Sequence, residues 1–136
     1  MTTASTKYLG KLRCSNVHLQ SGTEILTDAP TDNQGMGSAY SPTDLCALSL
    51  TTCIITTMAI YAQGKEFQIL NIEAETTKHM ASDPRRIARI ESHIRIELNP
   101  EADDRAREGL KRIVPLCPVS RSLHPDVIKD VTVTFI

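Results

Sequence analysis

The sequence predicts an α+β chain, and three observations predict it. Segments with a side-chain period near two lie on both sides of a long uncharged stretch. That stretch has the length of a helix. A second, amphipathic helical segment begins near residue 100. The chain has 136 residues, which fits one domain with its own core, so residues 1–136 are read as a single domain.

The first part, Lys7 to Ala29, reads as short strands. Tyr8, Gly10, Leu12 and Cys14 alternate with Lys7, Leu9, Lys11 and Arg13. Gln20-Ser21-Gly22-Thr23 has hairpin-turn chemistry, and Glu24-Ile25-Leu26-Thr27 resumes the strand. Asp28 to Ser38, holding Pro30, Asn33, Gly35 and Gly37, is a loop. Ser41-Pro42-Thr43-Asp44 then opens the central helix. Ser41 is placed to cap it, Pro42 suits the first helical position, and Asp44 falls three residues after the cap.

This helix is expected to end at Gly64. It carries no charge from Leu45 onward and is apolar nearly all round, so other structure must cover it on several sides. Its length raises the possibility of a membrane span. Ser49, Thr51, Thr52, Thr56, Thr57 and Gln63 make it too polar for hydrocarbon, and a buried central helix is the reading taken.

Two long alternating strands follow. Leu70, Ile72, Ala74 and Thr76 oppose Asn71, Glu73, Glu75 and Thr77. Ile90, Ser92, Ile94, Ile96 and Leu98 oppose Arg89, Glu91, His93, Arg95 and Glu97. Each has one wet face, and Ser82-Asp83-Pro84 turns the chain between them. Asn99-Pro100-Glu101 should cap a second helix running to about Val114. Its acids come early and its bases late, matching the helix dipole. Pro115 should stop it, a short helical turn follows Pro118, and Val131 to Phe135 forms a closing strand.

Fifteen basic against sixteen acidic side chains leave a net charge of −1, which offers no electrostatic reason for a nucleic-acid or anionic-membrane partner. Aromatics are 4% of residues and Trp is absent, so no base-stacking platform is expected either. No basic segment followed by an apolar run marks the N-terminus as a secretory leader. Four cysteines without dense spacing suit a reducing compartment, and the expected location is cytoplasmic.

Two of those cysteines carry the chemistry. Cys53 lies in the middle of the central helix, and Cys117 stands directly before Pro118 at a helix start. Free backbone N–H groups and the helix dipole favour thiolate at such a start. Cys46 and Cys53 are seven apart on one helix, about 10 Å, too far for a disulfide. Cys53 with Cys117 is the favoured pair, which requires the second helix to dock beside the first. Cys53 taken alone reads equally well as a small buried hydrophobe, and Cys14 and Cys46 read as packing.

Four histidines are present, but neither a C-x-x-C nor an H-x-x-x-H spacing exists, and His79 and His93 fall on wet strand faces. A zinc site is therefore a distant reading. Neither a phosphate-cradling glycine loop nor a serine nucleophile elbow occurs. No bound metal or cofactor is expected. Arg85, Arg86 and Arg121 are the cations best placed in sequence to approach a thiol. Arg121 is one helical turn after Cys117. Asp44 is a supporting candidate that also completes a capping box.

With these residues in view, the chain resembles the OsmC/Ohr superfamily of osmotically inducible and organic hydroperoxide resistance proteins. The matching pieces are Ser41-Pro42-Thr43-Asp44-Leu45 with Cys53 in the helix that follows, and Cys117-Pro118-Val119-Ser120. The loop Thr27 to Gly35 and the segment from Lys78-His79-Met80 to Pro84-Arg85-Arg86-Ile87 resemble the general OsmC-like branch. The resemblance implies two antiparallel β-sheets wrapped around central helices in an intertwined homodimer, with active sites at the dimer interface.

It also implies that Cys53 is the peroxidatic thiolate, attacking an organic hydroperoxide to become a sulfenic acid. Cys117 would then resolve it as an intramolecular disulfide. An external dithiol, lipoyl or another thiol, would restore both cysteines. Two positions depart from the family pattern. Thr43 stands where the peroxidases carry Glu, and Gln20 to Thr23 holds no arginine where they carry one in the first hairpin turn. The activating cation would then come from Arg85, Arg86, Arg121 or a second subunit. The rival expectation is a catalytically weak or inactive dimer of this fold that binds an apolar small molecule at its interface.

Overall fold

The computed structural model describes residues 1–136, which form two compact units, residues 1–46 and residues 47–136. The first unit is an antiparallel sheet of three strands, β1 (Ala4–Gly10), β2 (Arg13–His18) and β3 (Glu24–Asp28), in that order. The alternation expected to run through Leu12 breaks at Lys11 and Leu12. Both have positive φ, 54° and 64°, and they turn the chain between β1 and β2. Two central residues in the left-handed region match the right-handed twist of a hairpin. The pattern hid this turn because neither residue is Gly or Asn. The turn near Gln20 to Thr23 is the second one.

Asp28 closes β3 and is 1% exposed. Its Oδ1 accepts from Arg13 Nε at 2.7 Å, and its Oδ2 accepts from the Ser38 backbone N–H at 3.0 Å and from the Ser38 hydroxyl. One carboxylate thus pins both ends of the loop that follows. The loop is tight at Gly35, where an added Cβ would lie 1.5 Å from the Ala29 carbonyl oxygen. Helix α1 (Pro42–Ala62) starts as its sequence dictates, and the boundary between the two units falls within it. Ser41 N donates to Asp44 Oδ2 at 2.9 Å while Asp44 N donates to Ser41 Oγ at 3.0 Å, a reciprocal capping box.

The second unit holds the rest of α1, a sheet of β4 (Ile69–Ala81), β5 (Arg86–Leu98) and β6 (Ile128–Phe135), and helices α2 (Asp104–Lys111) and α3 (Pro118–Ser122). β5 is central. It pairs antiparallel with β4 and parallel with β6. The two expected sheets are present, and the one departure from antiparallel pairing is β6. The segment between β5 and β6 carries both short helices, long enough to return the chain for a parallel pairing.

Leu50, Ile54 and Met58, spaced by four on α1, join Ile90, Ile94 and Ile96 of β5 and Ala106 and Leu110 of α2 in one core. Ser92 interrupts the apolar row of β5. Its hydroxyl meets Thr51 Oγ1 at 2.6 Å, and Thr51 Oγ1 also meets Thr76 Oγ1 at 2.6 Å. Three hydroxyls therefore fasten α1 to β4 and β5 inside the apolar layer. On the opposite, wet face Glu91 sits between His79 and His93, each 2.9 Å away. The His79 and His93 hydrogen bonds hold its carboxyl below the usual range.

Thr52, Thr56, Ala59 and Ile60 of α1 are exposed, so this chain's own second unit leaves that stripe of the helix uncovered. By length and apolarity α1 could cross a membrane, but its Leu50, Ile54 and Met58 face belongs to the core of the second unit.

α2 starts later than the sequence predicts. Asp103, rather than Asn99 to Glu101, caps it by accepting from Ala106 N at 2.9 Å. Asn99 instead accepts from Gln68 N at 2.7 Å. α2 also ends early, at Lys111, and Pro115 lies inside a separate 3-10 turn, Val114–Leu116. Gly109 lets α2 approach α1, since a Cβ there would lie 2.2 Å from the Tyr61 hydroxyl.

Candidate active site

Cys53 is half-buried on α1, and Cys117 is fully buried just before α3. The fold makes these two thiols neighbours, close enough for the Cys53 sulfur to act on the Cys117 thiol, and both are reduced. Local chemistry places each. Cys53 sits about two and a half helical turns beyond Asp44 of the capping box, one position before the core residue Ile54. Its carbonyl accepts from the Thr57 hydroxyl at 2.7 Å. Cys117 is the N-cap of α3, with Pro118 in the first turn, and its Sγ accepts from Ser120 N at 3.3 Å.

Burial pushes the Cys117 thiol up, and the neighbouring Cys53 sulfur pushes it further. The N–H groups of Ser120 and Val119 oppose this and lose. The expected lowering at the helix start is therefore reversed, because desolvation of a buried sulfur outweighs two backbone donors. Two adjacent sulfurs resist ionising together. The buried one, its thiol pushed up, keeps its proton.

Asp44 is engaged by its capping box. Arg86 Nη1 donates to the carbonyls of Ser82 at 3.0 Å and Pro84 at 2.8 Å, holding the β4–β5 turn, which contains the cis Asp83–Pro84 peptide. Arg85 stands in the same turn. Arg121 is an exposed residue of α3, joined to Cys117 by a backbone bond at 3.2 Å. No guanidinium is among the main influences on the Cys117 thiol.

The first hairpin turn is Lys11–Leu12, and Gln20 to Thr23, which holds no arginine, is the second. Arg13 directly follows the true first turn and is held by Asp28. Sequence reasoning missed the backbone donors of Val119 and Ser120. The Cys-Pro-x-Ser run was their signal, a capping residue followed by proline.

Against this geometry, the family model described as OsmC-like protein matches residues 35–131. The chain belongs to the OsmC-like family. A solved structure from Psychrobacter arcticus, described as a candidate osmotic stress induced and detoxification response protein, is 47% identical. The match covers 98% of this chain and 96% of that one, with a TM-score of 0.87. An OsmC-like protein from Mycoplasma pneumoniae shares the fold at 16% identity, covering 98% and 95% of the two chains, with a TM-score of 0.80. So does an organic hydroperoxide resistance protein OsmC from Legionella pneumophila, at 14% identity, covering 98% of each chain, with a TM-score of 0.71. No curated protein matches the chain in sequence.

Proposed function

We propose that this OsmC-like protein reduces organic hydroperoxides, with Cys53 as the attacking sulfur and Cys117 as the resolving one. The observation that carries this reading is the proximity of two reduced thiols from distant parts of the chain, the buried one pushed up by burial and by its neighbour. Its fold relatives include proteins named for organic hydroperoxide resistance, which agrees with the chemistry.

The Cys53 thiolate attacks the terminal oxygen of R–O–OH. An S–O bond forms, the O–O bond breaks, and the alkoxide leaves as ROH after taking a proton. Cys53 is then a sulfenic acid. The Cys117 sulfur attacks it, the S–S bond forms, and hydroxide departs with the Cys117 proton as water. A dithiol reductant of the lipoyl class returns both cysteines to thiols, its own sulfurs becoming a disulfide.

The working form in this reading is a homodimer. α1 leaves Thr52, Thr56, Ala59 and Ile60 uncovered, and the first unit exposes Tyr8, Leu9, Leu12, Ile25 and Leu26. Apolar surface of this extent is characteristic of an interface. The test is single-turnover consumption of cumene hydroperoxide by wild type and Cys53→Ser. The variant should lose the reaction. Equal rates would remove Cys53 from the mechanism and favour the reading as an apolar-ligand binding protein.

A further inference from the structure

We propose that the cleft between the end of α1 and α2 binds a small organic anion bearing a flat ring, of the aryl phosphate or aryl carboxylate type. The cleft has a volume of about 410 Å³ and lies wholly within the second unit. Sites for small molecules run from roughly 300 to 1,000 Å³, so this one suits a compact ligand. Tyr61 and Phe67 supply aromatic wall, with ring centroids 6.5 Å apart and planes tilted by 42°. Lys65 Nζ is held 4.8 Å from the Tyr61 ring centroid, which places a cation beside that wall.

The charges on α2 divide by face. Arg107 pairs with Asp104 at 3.5 Å and Lys111 with Glu108 at 3.9 Å, both away from the cleft. Arg105 and Arg112 line the cleft with Lys65, and none of the three makes an ion pair. Two carboxylates also line it, Glu66 and Asp103, the latter already accepting from Ala106 N as the α2 cap. Three cations against two acids leave a positive excess in a chain whose net charge is −1. That excess suits one compact anionic head, while the two acids disfavour a polyphosphate or nucleic acid. Tyr61, half-buried, offers the ring surface for the flat part of the ligand, with Phe67, 8% exposed, backing it from the core. Tyr61 lies two helical turns beyond Cys53, so the site is separate from the thiols.

The test is an amide-resolved NMR titration of the full chain with phenyl phosphate, benzoate, inorganic phosphate and benzyl alcohol. Saturable shifts should appear at residues 65–67, 105–106 and 112 with phenyl phosphate or benzoate, and whichever binds tighter identifies the head group. Arg105→Glu with Arg112→Glu should weaken binding about tenfold, as expected for reversing two screened charges, without changing thiol oxidation by cumene hydroperoxide. If that variant does not fold, Lys65→Gln should weaken binding in the same direction. The proposal is overturned if those amides do not shift, or if the folded variant binds as well as wild type. Benzyl alcohol or inorganic phosphate matching phenyl phosphate would overturn it too.

Discussion

Thr51→Val tests how α1, and with it Cys53, is fastened to the sheet. Val keeps the shape of Thr and deletes the hydroxyl shared by Thr76 and Ser92, each 2.6 Å away. Thr76 is half-buried and can turn to water, but Ser92 is 0% exposed and is left with an orphaned hydroxyl. An unsatisfied buried group of this kind costs about 1–3 kcal/mol. For a chain of this length about 1 kcal/mol corresponds to roughly 3–5 °C, so Tm should fall by about 5–10 °C. Adding Ser92→Ala removes the orphan. The double variant should then be more stable than the sum of the two single losses, by about 1–2 kcal/mol. Urea melts of all four proteins at one fixed protein concentration give the cycle, since assembly would make stability concentration-dependent. Strict additivity, or a Thr51→Val loss below about 0.5 kcal/mol, would refute the three-hydroxyl fastening.

Two further outcomes follow from the thiols and from Asp28. Cys117→Ser should leave the first reaction with hydroperoxide intact but strand Cys53 as a sulfenic acid. Dimedone labelling followed by peptide mapping reads this, and recovery of unlabelled, unoxidised Cys53 would contradict the assigned roles. Asp28 is held below the usual carboxylate range by the Ser38 hydroxyl first and by Arg13 after it, burial opposing. Its contribution to stability is therefore complete above about pH 3.9 and fades as pH falls through the lower folded value. Asp28→Asn should destabilise the protein at pH 7 and flatten the acid side of its stability profile. An acid limb identical to wild type would show that Asp28 does not contribute to it.

The sequence was most readable where local chemistry decides the outcome. Ser41, Pro42 and Asp44 announced the start of α1, and the alternation around Ile72 and Ile94 announced β4 and β5. It was least readable where local options compete. Asp103 displaced Asn99 as a cap because its carboxylate reaches Ala106 N, and Lys11–Leu12 turned the chain with residues that carry no turn signal. The parallel pairing of β6 is a matter of topology, invisible to any periodicity. At the site, spacing and resemblance singled out Cys53 and Cys117. Burial of Cys117 emerged only from the packing, and it reversed the effect expected of a helix start.

The place of β6 in its sheet has a consequence for how the protein is made. One long edge of β5 stays open until the ribosome has delivered everything from Asn99 through Val127, and Cys117 travels in that same delayed segment. Closing the edge and delivering the second sulfur are thus late, long-range steps, of the kind that slow folding. A nascent chain stalled before them would carry Cys53 without a partner beside an unpaired strand, where aggregation and premature oxidation compete with maturation.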